Sequence, residues 1–231
     1  MRKGPRIGLL GGTFDPVHLG HLAVAETALL RLQLDRMLFI PAARPPHKTG
    51  FSITSFSERA AMLELALAPF SRYELCLLEE DRPGLSFSID TLRELRQRFG
   101  GEARFFFITG FDAFAEINSW KEWDHLLELT AIVVIDRPSH DGGNMAELVS
   151  RLFPGYRGGA AGVWSAETGE NIYSLAMEPV SISSTEIRRR VQAGESVASL
   201  VSADVEEYIR DHGLYLSEAP TSSRSSLSTK A

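Results

Sequence analysis

The sequence predicts a single α/β domain built on a doubly wound parallel sheet. Short apolar runs alternate along the chain with segments whose apolar residues recur at helical spacing, and this alternation is typical of parallel strands joined by right-handed crossovers. The strand-like runs lack a polar alternation, as expected for strands that are buried on both faces. With 231 residues, the chain is long enough to bury a substantial core.

The order of the elements follows from the periodicity. Strands are predicted at 6–10, 36–41, 73–78, 104–110, 131–136 and 172–178, and helices at 21–32, 57–68, 89–99, 144–153 and 203–213. Ligands of such sheets bind at the carboxyl ends of the strands. We therefore expect the functional residues in the loops after Leu10, Ile40, Leu78, Thr109 and Ile135.

Composition divides the chain into one domain and a tail. The domain is predicted to span residues 1–216, and the Gly-rich stretch 139–171, which includes the flexible sequence GYRGGAAGVWS, is expected to be a variable surface excursion. Residues 217–231 are rich in Ser and low in apolar residues. We expect this tail to be disordered, because it cannot bury enough apolar surface to offset the entropy of ordering.

Charge and cysteine content exclude several classes of protein. The formal net charge of −6 argues against a general nucleic-acid binder, and no apolar run approaches the roughly 20 residues of a membrane span. The one cysteine, Cys76, allows neither an intrachain disulfide nor a cysteine metal cluster, which fits a reducing cytoplasm. The apolar stretch before Gly11 is too short for a signal peptide, so no export is expected.

The stretch GGTFDPVHLGH, residues 11–21, joins the first strand to the first helix. Two glycines let a ligand approach the backbone, Pro16 restricts the corner, and His18 and His21 lie at the opening turn of the helix, where backbone N–H groups favour anions. The motif is neither a P-loop, which requires a lysine, nor a nicotinamide G-x-G-x-x-G fingerprint. From spacing alone, the histidines could also be metal ligands or part of a helix cap without catalytic role.

The string T-F-D-P-V-H-L-G-H resembles the T/HxGH signature of the nucleotidyltransferase superfamily, and GGTFDPVHxGH resembles the nicotinate mononucleotide adenylyltransferase family. Further blocks resemble that family in the expected order, and together they cover about residues 6–216: IPAARPPHK, LSFSIDT, ITGFDAF, NSWKEW, DRP, ISSTEIR and YIRDHGLY. The resemblance implies a Rossmann-like nucleotidyltransferase fold. It also implies that AMP is transferred from ATP to nicotinate mononucleotide in the synthesis of NAD, with release of pyrophosphate.

The block ISSTEIR, residues 182–188, has two interpretations. Ser183 and Glu186 have the S-x-x-E spacing of a capping box, so the block could simply begin a helix. In the resembled family this block binds the phosphates of ATP, which implies that role for Ser184, Thr185 and Arg188. Arg189 and Arg190 are expected to be solvated.

Two other strand ends offer polar groups. Lys48, in the proline-stiffened loop RPPHK, is a candidate phosphate contact, although a surface lysine commonly only adds charge. Asp112 could cap a helix, but the resemblance implies that Gly110 and Asp112 hold the hydroxyls of a ribose. Phe111 departs from the family, which usually carries a smaller or polar residue there.

The resemblance also implies a pocket for the pyridine ring. Trp120 matches the tryptophan that stacks on this ring, and backbone amides near Trp120 and Ser88 would bind the nicotinate carboxylate. Ser88 and Phe87 stand where Thr and Tyr are common. Trp123 is expected to be core. The same blocks extend the predicted site to Thr91, Lys121 and Arg137, although Arg137 could equally be a solvated surface residue.

The implied reaction needs no general base, because a phosphate monoester has a second pKa near 6 and is already ionised. The site has to align two polyanions and neutralise charge on the transferred phosphate. We expect His18, His21 and Arg188 to contact phosphate, with His21 at the transition state, on a loop formed by Gly11, Gly12, Thr13 and Phe14. Mg²⁺ is expected to arrive with ATP, without a dedicated protein site.

Several alternatives stay open. Within the same class, the acceptor could be nicotinamide mononucleotide. Phosphopantetheine is disfavoured because its family is usually shorter and lacks the combination of PPHK and ISSTxIR, and cytidylyl transfer is disfavoured because its C-terminal motif differs from ISSTEIR. From another class, the domain could be a catalytically idle nucleotide sensor, which turnover would exclude. A redox enzyme is disfavoured by the absent glycine fingerprint. We expect the acid to be preferred over the amide by 10- to 1000-fold, since amides arranged for a carboxylate lose charge-assisted bonds.

Overall fold

The computed structural model describes residues 4–46, 53–136, 144–178 and 180–216, which form one sheet with helices on both faces. The strands of these ranges are β1 Arg6–Gly12, β2 Arg36–Pro41, β3 Tyr73–Leu75, β4 Arg104–Gly110, β5 Ala131–Asp136, β6 Arg157–Gly158, β7 Val163–Ser165 and β8 Ile172–Ala176. Their spatial order is β3-β2-β1-β4-β5-β8-β7-β6. The first six in this order pair in parallel, and β7 and β6 form an antiparallel edge.

The helices divide between the two faces of the sheet. They are α1 Leu19–Arg31, α2 Phe56–Leu67, α3 Ser88–Phe99, α4 Phe111–Ala115, α5 Leu126–Leu129, α6 Met145–Leu152, α7 Ser184–Gln192 and α8 Ala203–Asp211. Residues of α1, α2, α7 and α8 belong to one apolar cluster, and residues of α3 to α6 belong to a second. None of the helices in the described residues is long and apolar enough to cross a membrane.

Successive residues of the central strands enter opposite clusters. Phe105 packs on the side of α3, and its neighbour Phe106 packs on the side of α1, both without exposed surface. Burial on both faces removes the polar alternation that marks a half-exposed strand. The prediction of a doubly wound, mostly parallel sheet is therefore confirmed.

The structure differs from the predicted elements in several places. α1 begins at Leu19 rather than at 21, β8 ends at Ala176 rather than at 178, and α4 and α5 were not predicted. β3 ends at Leu75 rather than at 78, and the glycine-rich part of the predicted excursion forms the hairpin of β6 and β7. Gly158 and Gly162 have positive φ angles, and a Cβ on either would lie 2.6 Å from a backbone carbonyl oxygen. These glycines permit close backbone approach, so their abundance here reflects tight packing. The predicted tail, 217–231, lies outside the described residues.

The order of the strands creates a switch point between β1 and β4. The chain runs from β1 outward to β2 and β3 and then returns to the other side of β1 with β4. Loops that leave the carboxyl ends of β1 and β4 therefore diverge and open a crevice, the usual place of a ligand in such sheets.

Candidate functional site

A cleft of about 560 Å³ lies at the carboxyl ends of β1 and β4. It is the edge of the sheet at which the sequence predicts the functional loops. Nine of the predicted site residues line it: Gly11, Gly12, Thr13, His21, Ser88, Thr91, Gly110, Asp112 and Trp120. The cleft therefore brings together segments that are about 100 residues apart in the sequence.

The loop that follows β1 is shaped by Phe14. This residue has a φ of +50°, and its buried ring packs edge-on against His21 with the ring centroids 4.9 Å apart. A Cβ on Gly12 would lie 3.1 Å from the Phe14 ring, closer than ordinary packing permits. Gly12 therefore gives Phe14 its room, whereas a Cβ on Gly11 would meet nothing closer than 4.0 Å.

The two histidines of the motif stack on one another at the start of α1. Their ring centroids are 3.7 Å apart, and His18 is buried at the N-cap position while His21 faces the cleft. The backbone N–H of His18 donates to Nδ1 of His21 over 3.2 Å. Since Nδ1 accepts this bond, the neutral His21 ring carries its proton on Nε2. His21 can thus donate a hydrogen bond through Nε2.

Gly20 lies between the two histidines, where a side chain would crowd the His18 ring. A Cβ at this position would lie 3.0 Å from Nδ1 and 3.1 Å from Cε1 of His18. The glycine of the HLGH sequence therefore allows the His18 ring to fold back over the helix start.

The backbone amides of the first turn of α1 are partly used within the protein. The N–H of Leu19 donates to the carbonyl of Leu200 over 2.9 Å, and the N–H of His21 donates to the carbonyl of His18. The expectation that unpaired amides would form the anion site is therefore wrong for these two residues.

The start of α7 rests against the same loop. Ser183 is the N-cap and accepts the N–H of Glu186, while the hydroxyl of Ser184 donates to the carbonyl of Pro16 over 2.9 Å. Arg188 donates to the carbonyl of Asp15 over 2.6 Å, and to the hydroxyl of Thr185 over 3.3 Å. The fold thus places the ISSTEIR block against the glycine-histidine loop, although the two are about 170 residues apart in the sequence.

The two remaining arginines of this block lie on the outer face of α7. Arg189 and Arg190 pair with Glu186, and these bonds lower the pKa of that carboxyl to about 2. The spacing predicts a reciprocal capping box, but the Glu186 side chain turns to the arginines, so only the Ser183 half of the box forms.

The far side of the cleft is aromatic. Trp120 follows a 3₁₀ turn at Ile117–Ser119, is half-buried, and meets Phe107 edge-on with centroids 6.0 Å apart. Ser88, at the first position of α3, also lines this end. Phe111, the departure from the family pattern, is buried beneath the cleft. Trp123 is half-buried and packs on Phe153, as its expected core position requires.

Hydrogen bonds fix the loops around the aromatic end. Ser86 accepts the backbone N–H of Arg44 through its hydroxyl and donates its own N–H to the Arg44 carbonyl, which joins the RPP loop to the start of α3. The buried hydroxyl of Thr91 donates to the carboxylate of Glu79 and accepts from Arg82. Thr91 therefore borders the cleft with its hydroxyl already engaged.

The charged residues predicted for this end occupy different positions. Asp112 is exposed on the lining and makes no capping bond to α4, so the alternative of a helix cap is not supported. Lys121 instead forms an ion pair with Asp90, 2.9 Å from Nζ to Oδ2. Lys48 and Arg137 lie outside the described residues.

Three residues of the site were not predicted. Asp15 is buried under the loop, where its carboxylate accepts the hydroxyl of Tyr215 over 2.8 Å and the N–H of Thr54 over 3.3 Å. Arg59, with 1 % of its surface exposed, donates to the carbonyl of Thr13 over 2.7 Å. Burial lowers the pKa of Arg59, which the Asp15 carboxylate opposes. Burial and Asp15 together raise the pKa of the Tyr215 phenol.

The sequence of this chain is similar to those of known proteins. Residues 9–190 match the family model described as cytidylyltransferase-like. A Thermus thermophilus protein named "Probable nicotinate-nucleotide adenylyltransferase" is 42 % identical over 91 % of this chain and 99 % of its own length. A Thermoanaerobacter protein of the same name is 36 % identical over 93 % of this chain and 96 % of its own.

A solved structure shares the fold at lower identity. The Plasmodium falciparum nicotinic acid mononucleotide adenylyltransferase complexed with NaAD is 18 % identical, covers 91 % of this chain and 97 % of its own, and has a TM-score of 0.69. From its relatives at 36 to 42 % identity over nearly their full length, and from the glycine-histidine loop beside the ISSTEIR helix, this chain belongs to the nicotinate-nucleotide adenylyltransferase family.

Proposed function

We propose that this protein transfers AMP from ATP to nicotinate mononucleotide, giving nicotinate adenine dinucleotide and pyrophosphate in the synthesis of NAD. The observation that carries the proposal is the two-ended cleft. One end presents glycine backbone and the imidazole of His21, and the other presents Trp120 and Ser88. A mononucleotide has the same division, with a phosphate at one end and an aromatic ring at the other.

The chemistry is one in-line displacement without a covalent intermediate. An oxygen of the 5′-phosphate forms a bond to the α-phosphorus of ATP while the bond from that phosphorus to the bridging oxygen breaks, and pyrophosphate leaves with the electron pair. The attacking phosphate is already ionised near neutral pH, so no side chain has to remove a proton. Alignment and charge stabilisation therefore supply the rate enhancement.

The phosphate end supplies the donors. His21 donates from Nε2 to the α-phosphate in the transition state, and His18 supports its ring by stacking and contributes to the phosphate site. Arg188 stabilises the negative charge from the other side of the loop, where its bond to the Asp15 carbonyl holds it. Gly11, Gly12, Thr13, Phe14, Ser184 and Thr185 form the surrounding cradle, and Lys48 adds a charge.

The aromatic end recognises the acceptor. Trp120 stacks on the pyridine ring, and backbone amides near Trp120 and Ser88 bind the nicotinate carboxylate. Gly110 and Asp112 hold ribose hydroxyls at the switch point, where Asp112 is exposed to the cleft. Lys121 and Thr91 shape this end through their bonds to Asp90 and Glu79, and Arg137 borders the nucleotide.

Magnesium is proposed to accompany ATP. Within the described residues, no group of three or more histidine, cysteine or acidic side chains could hold a metal ion together, and the buried Asp15 carboxylate is engaged by Tyr215 and Thr54. This donor set fits an ion held by phosphate oxygens and water, as Mg²⁺ prefers in nucleotide sites. When bound, the ion would neutralise charge on the polyphosphate.

The partners in this proposal are ATP and nicotinate mononucleotide, without nucleic acid or membrane, in the cytoplasm. The negative net charge supports the first exclusion.

The test is release of pyrophosphate from Mg²⁺-ATP with nicotinate mononucleotide and, separately, with nicotinamide mononucleotide. We expect kcat/KM to be about 10- to 1000-fold higher for the acid, since a tenfold preference corresponds to about 1.4 kcal/mol. Equal values would contradict the carboxylate-binding amides. No release with either acceptor would contradict adenylyl transfer and favour an idle nucleotide sensor.

Two tryptophans provide a matched control for the acceptor pocket in the same assay. Trp120→Leu removes the proposed stacking surface, so KM for the mononucleotide should rise while KM for ATP stays near its original value. Trp123→Leu removes a similar ring that packs on Phe153. An equal rise in KM for both variants would contradict the role of Trp120.

A further inference from the structure

The loop between Thr13 and His18 is held by hydrogen bonds from two helices, α2 and α7. Arg59 of α2 donates to the carbonyl of Thr13, Ser184 of α7 donates to that of Pro16, and Arg188 donates to that of Asp15. Three bonds to backbone carbonyls within four residues fix the path of the loop. The direction in which Arg188 points therefore depends on where the Asp15 carbonyl lies.

The side chain of the same residue, Asp15, is also held by hydrogen bonds, which restrict where its carbonyl can lie. Only 4 % of the residue is exposed, and a buried carboxylate is strongly destabilising unless it is hydrogen-bonded. Its partners are the Tyr215 hydroxyl at 2.8 Å and the Thr54 N–H at 3.3 Å. The shorter of these bonds comes from a residue 200 positions away.

Tyr215 makes this bond from an uncommon backbone conformation. Its φ of +63° lies in the left-handed region, which costs a residue with a Cβ roughly 1 kcal/mol or more. Burial, then the Asp15 carboxylate, raises the pKa of its phenol, so the group remains a donor through the neutral range. Such a conformation persists where surrounding contacts stabilise it, and it is often found near functional sites.

We propose that Tyr215 is a positioning residue for phosphate transfer, acting through Asp15 to hold the loop so that Arg188 and His21 face the same phosphate. Tyr215 touches no reacting atom in this proposal. Its effect passes from the phenol to the Asp15 carboxylate, from there to the Asp15 carbonyl, and then to the guanidinium of Arg188. The proposal rests on the adenylyl transfer proposed above.

Tyr208 offers a control of the same chemistry. Its hydroxyl donates to the carboxylate of Glu58 over 2.7 Å, which connects α8 to α2. Neither residue belongs to the Thr13–His18 loop. Tyr208→Phe and Tyr215→Phe each remove one hydroxyl from a phenol–carboxylate pair, but only the second removes a bond to the loop.

The experiment compares kcat, KM for ATP and the melting temperature of both variants with the wild type. We expect Tyr215→Phe to lower kcat about tenfold or more, because small displacements of catalytic groups have large effects on rate, with a smaller change in KM. Tyr208→Phe should retain the wild-type kcat. Equal kcat values in all three proteins, or equal losses in both variants, would overturn the positioning role.

The route through Asp15 is tested by a double-mutant cycle. Asp15→Leu keeps the approximate size of the side chain but removes the oxygen that accepts the Tyr215 hydroxyl. Adding Tyr215→Phe to this variant should therefore lower kcat little further, since both substitutions break the same connection. Fully additive losses would overturn the route. If the wild type releases no pyrophosphate at all, the proposed function fails. The positioning proposal is then judged by the affinity for ATP from calorimetry, which Tyr215→Phe should weaken and Tyr208→Phe should leave unchanged.

Discussion

The backbone at the start of α1 favours one tautomer of the neutral His21 ring. Because the N–H of His18 donates to Nδ1, the ring retains a donor at Nε2 without having to be charged. In the proposed reaction, this donor would contact the transferred phosphate. The stack with His18 and the edge of Phe14 restrict the ring to this orientation.

Substitutions of His21 distinguish the structural role of Nδ1, which accepts the His18 N–H, from the proposed catalytic role of Nε2. His21→Asn keeps an acceptor near the position of Nδ1 but has no group at Nε2, so we expect the melting temperature to stay near that of the wild type while kcat falls about a hundredfold or more. His21→Gln, whose amide reaches further, should retain more activity than the Asn variant. Turnover of the Asn variant within a fewfold of the wild type would contradict the role of Nε2.

Individual residues were predicted from the sequence when they belong to compact motifs. Gly12 and His21 lie in a short glycine-histidine string at a helix start, which favours an anion site, and Arg188 was predicted from the resemblance of ISSTEIR to the family block. Tyr215 ends the block YIRDHGLY, but neither this block nor the sequence around Arg59 indicates a role in the site, because that role depends on partners 200 and 46 positions away. A buried arginine inside an apolar helix looks like a solvated charge until the fold brings the Thr13 carbonyl to it.

At the beginning of α1, the rings of His18 and His21 stack, and Gly20 leaves space for the His18 ring. Alanine is a better helix former than glycine by up to about 1 kcal/mol, so helix propensity alone predicts that Gly20→Ala stabilises the protein. The added Cβ would lie 3.0 Å from the His18 ring, which must then move from its stack on His21.

We therefore expect Gly20→Ala to lower kcat by about tenfold or more without unfolding α1. The measurements are kcat and helix content by circular dichroism. Gly101→Ala is the matched control, because a Cβ at that position meets nothing within 4 Å. A Gly20→Ala enzyme with wild-type kcat would show that the His18 ring position is unimportant for turnover.

At the level of elements, the prediction succeeded for buried strands and failed for glycine-rich structure. β1, β2, β4 and β5 are continuous apolar runs, and burial on both faces explains them. The β6–β7 hairpin was missed because Gly158 and Gly162 look flexible in sequence, although close contacts with backbone carbonyls require both. Trp164, a large apolar residue within that stretch, is buried, and it was the signal in the sequence that this segment packs against the core.

For the molecule as a whole, tyrosines link alkaline pH to stability. Burial raises the pKa of Tyr73 to about 12, a bond to Glu58 raises that of Tyr208 to about 12, and the pKa of Tyr215 is raised by burial and Asp15. In the unfolded chain these phenols ionise near pH 10. The unfolded state therefore loses protons first as the pH rises.

We expect the free energy of unfolding to be constant below about pH 10 with respect to these groups, and to fall as the pH rises toward about 12. Urea unfolding at pH 9 and pH 11, together with tyrosinate absorbance, measures this. The native protein should show less tyrosinate at pH 11 than the urea-unfolded protein at the same pH. Identical titration curves for the two states would contradict the raised pKa values.

The hydrogen bonds that hold the Thr13–His18 loop are expected to form late during folding. Its contacts with Ser184, Arg188 and Tyr215 join residues that are 168, 173 and 200 positions apart. Contacts between such distant residues form slowly, because the entropy of closing the intervening chain must be overcome first. A refolding chain would thus complete much of its sheet before it can recognise a nucleotide, and recovery of activity should lag behind recovery of secondary structure.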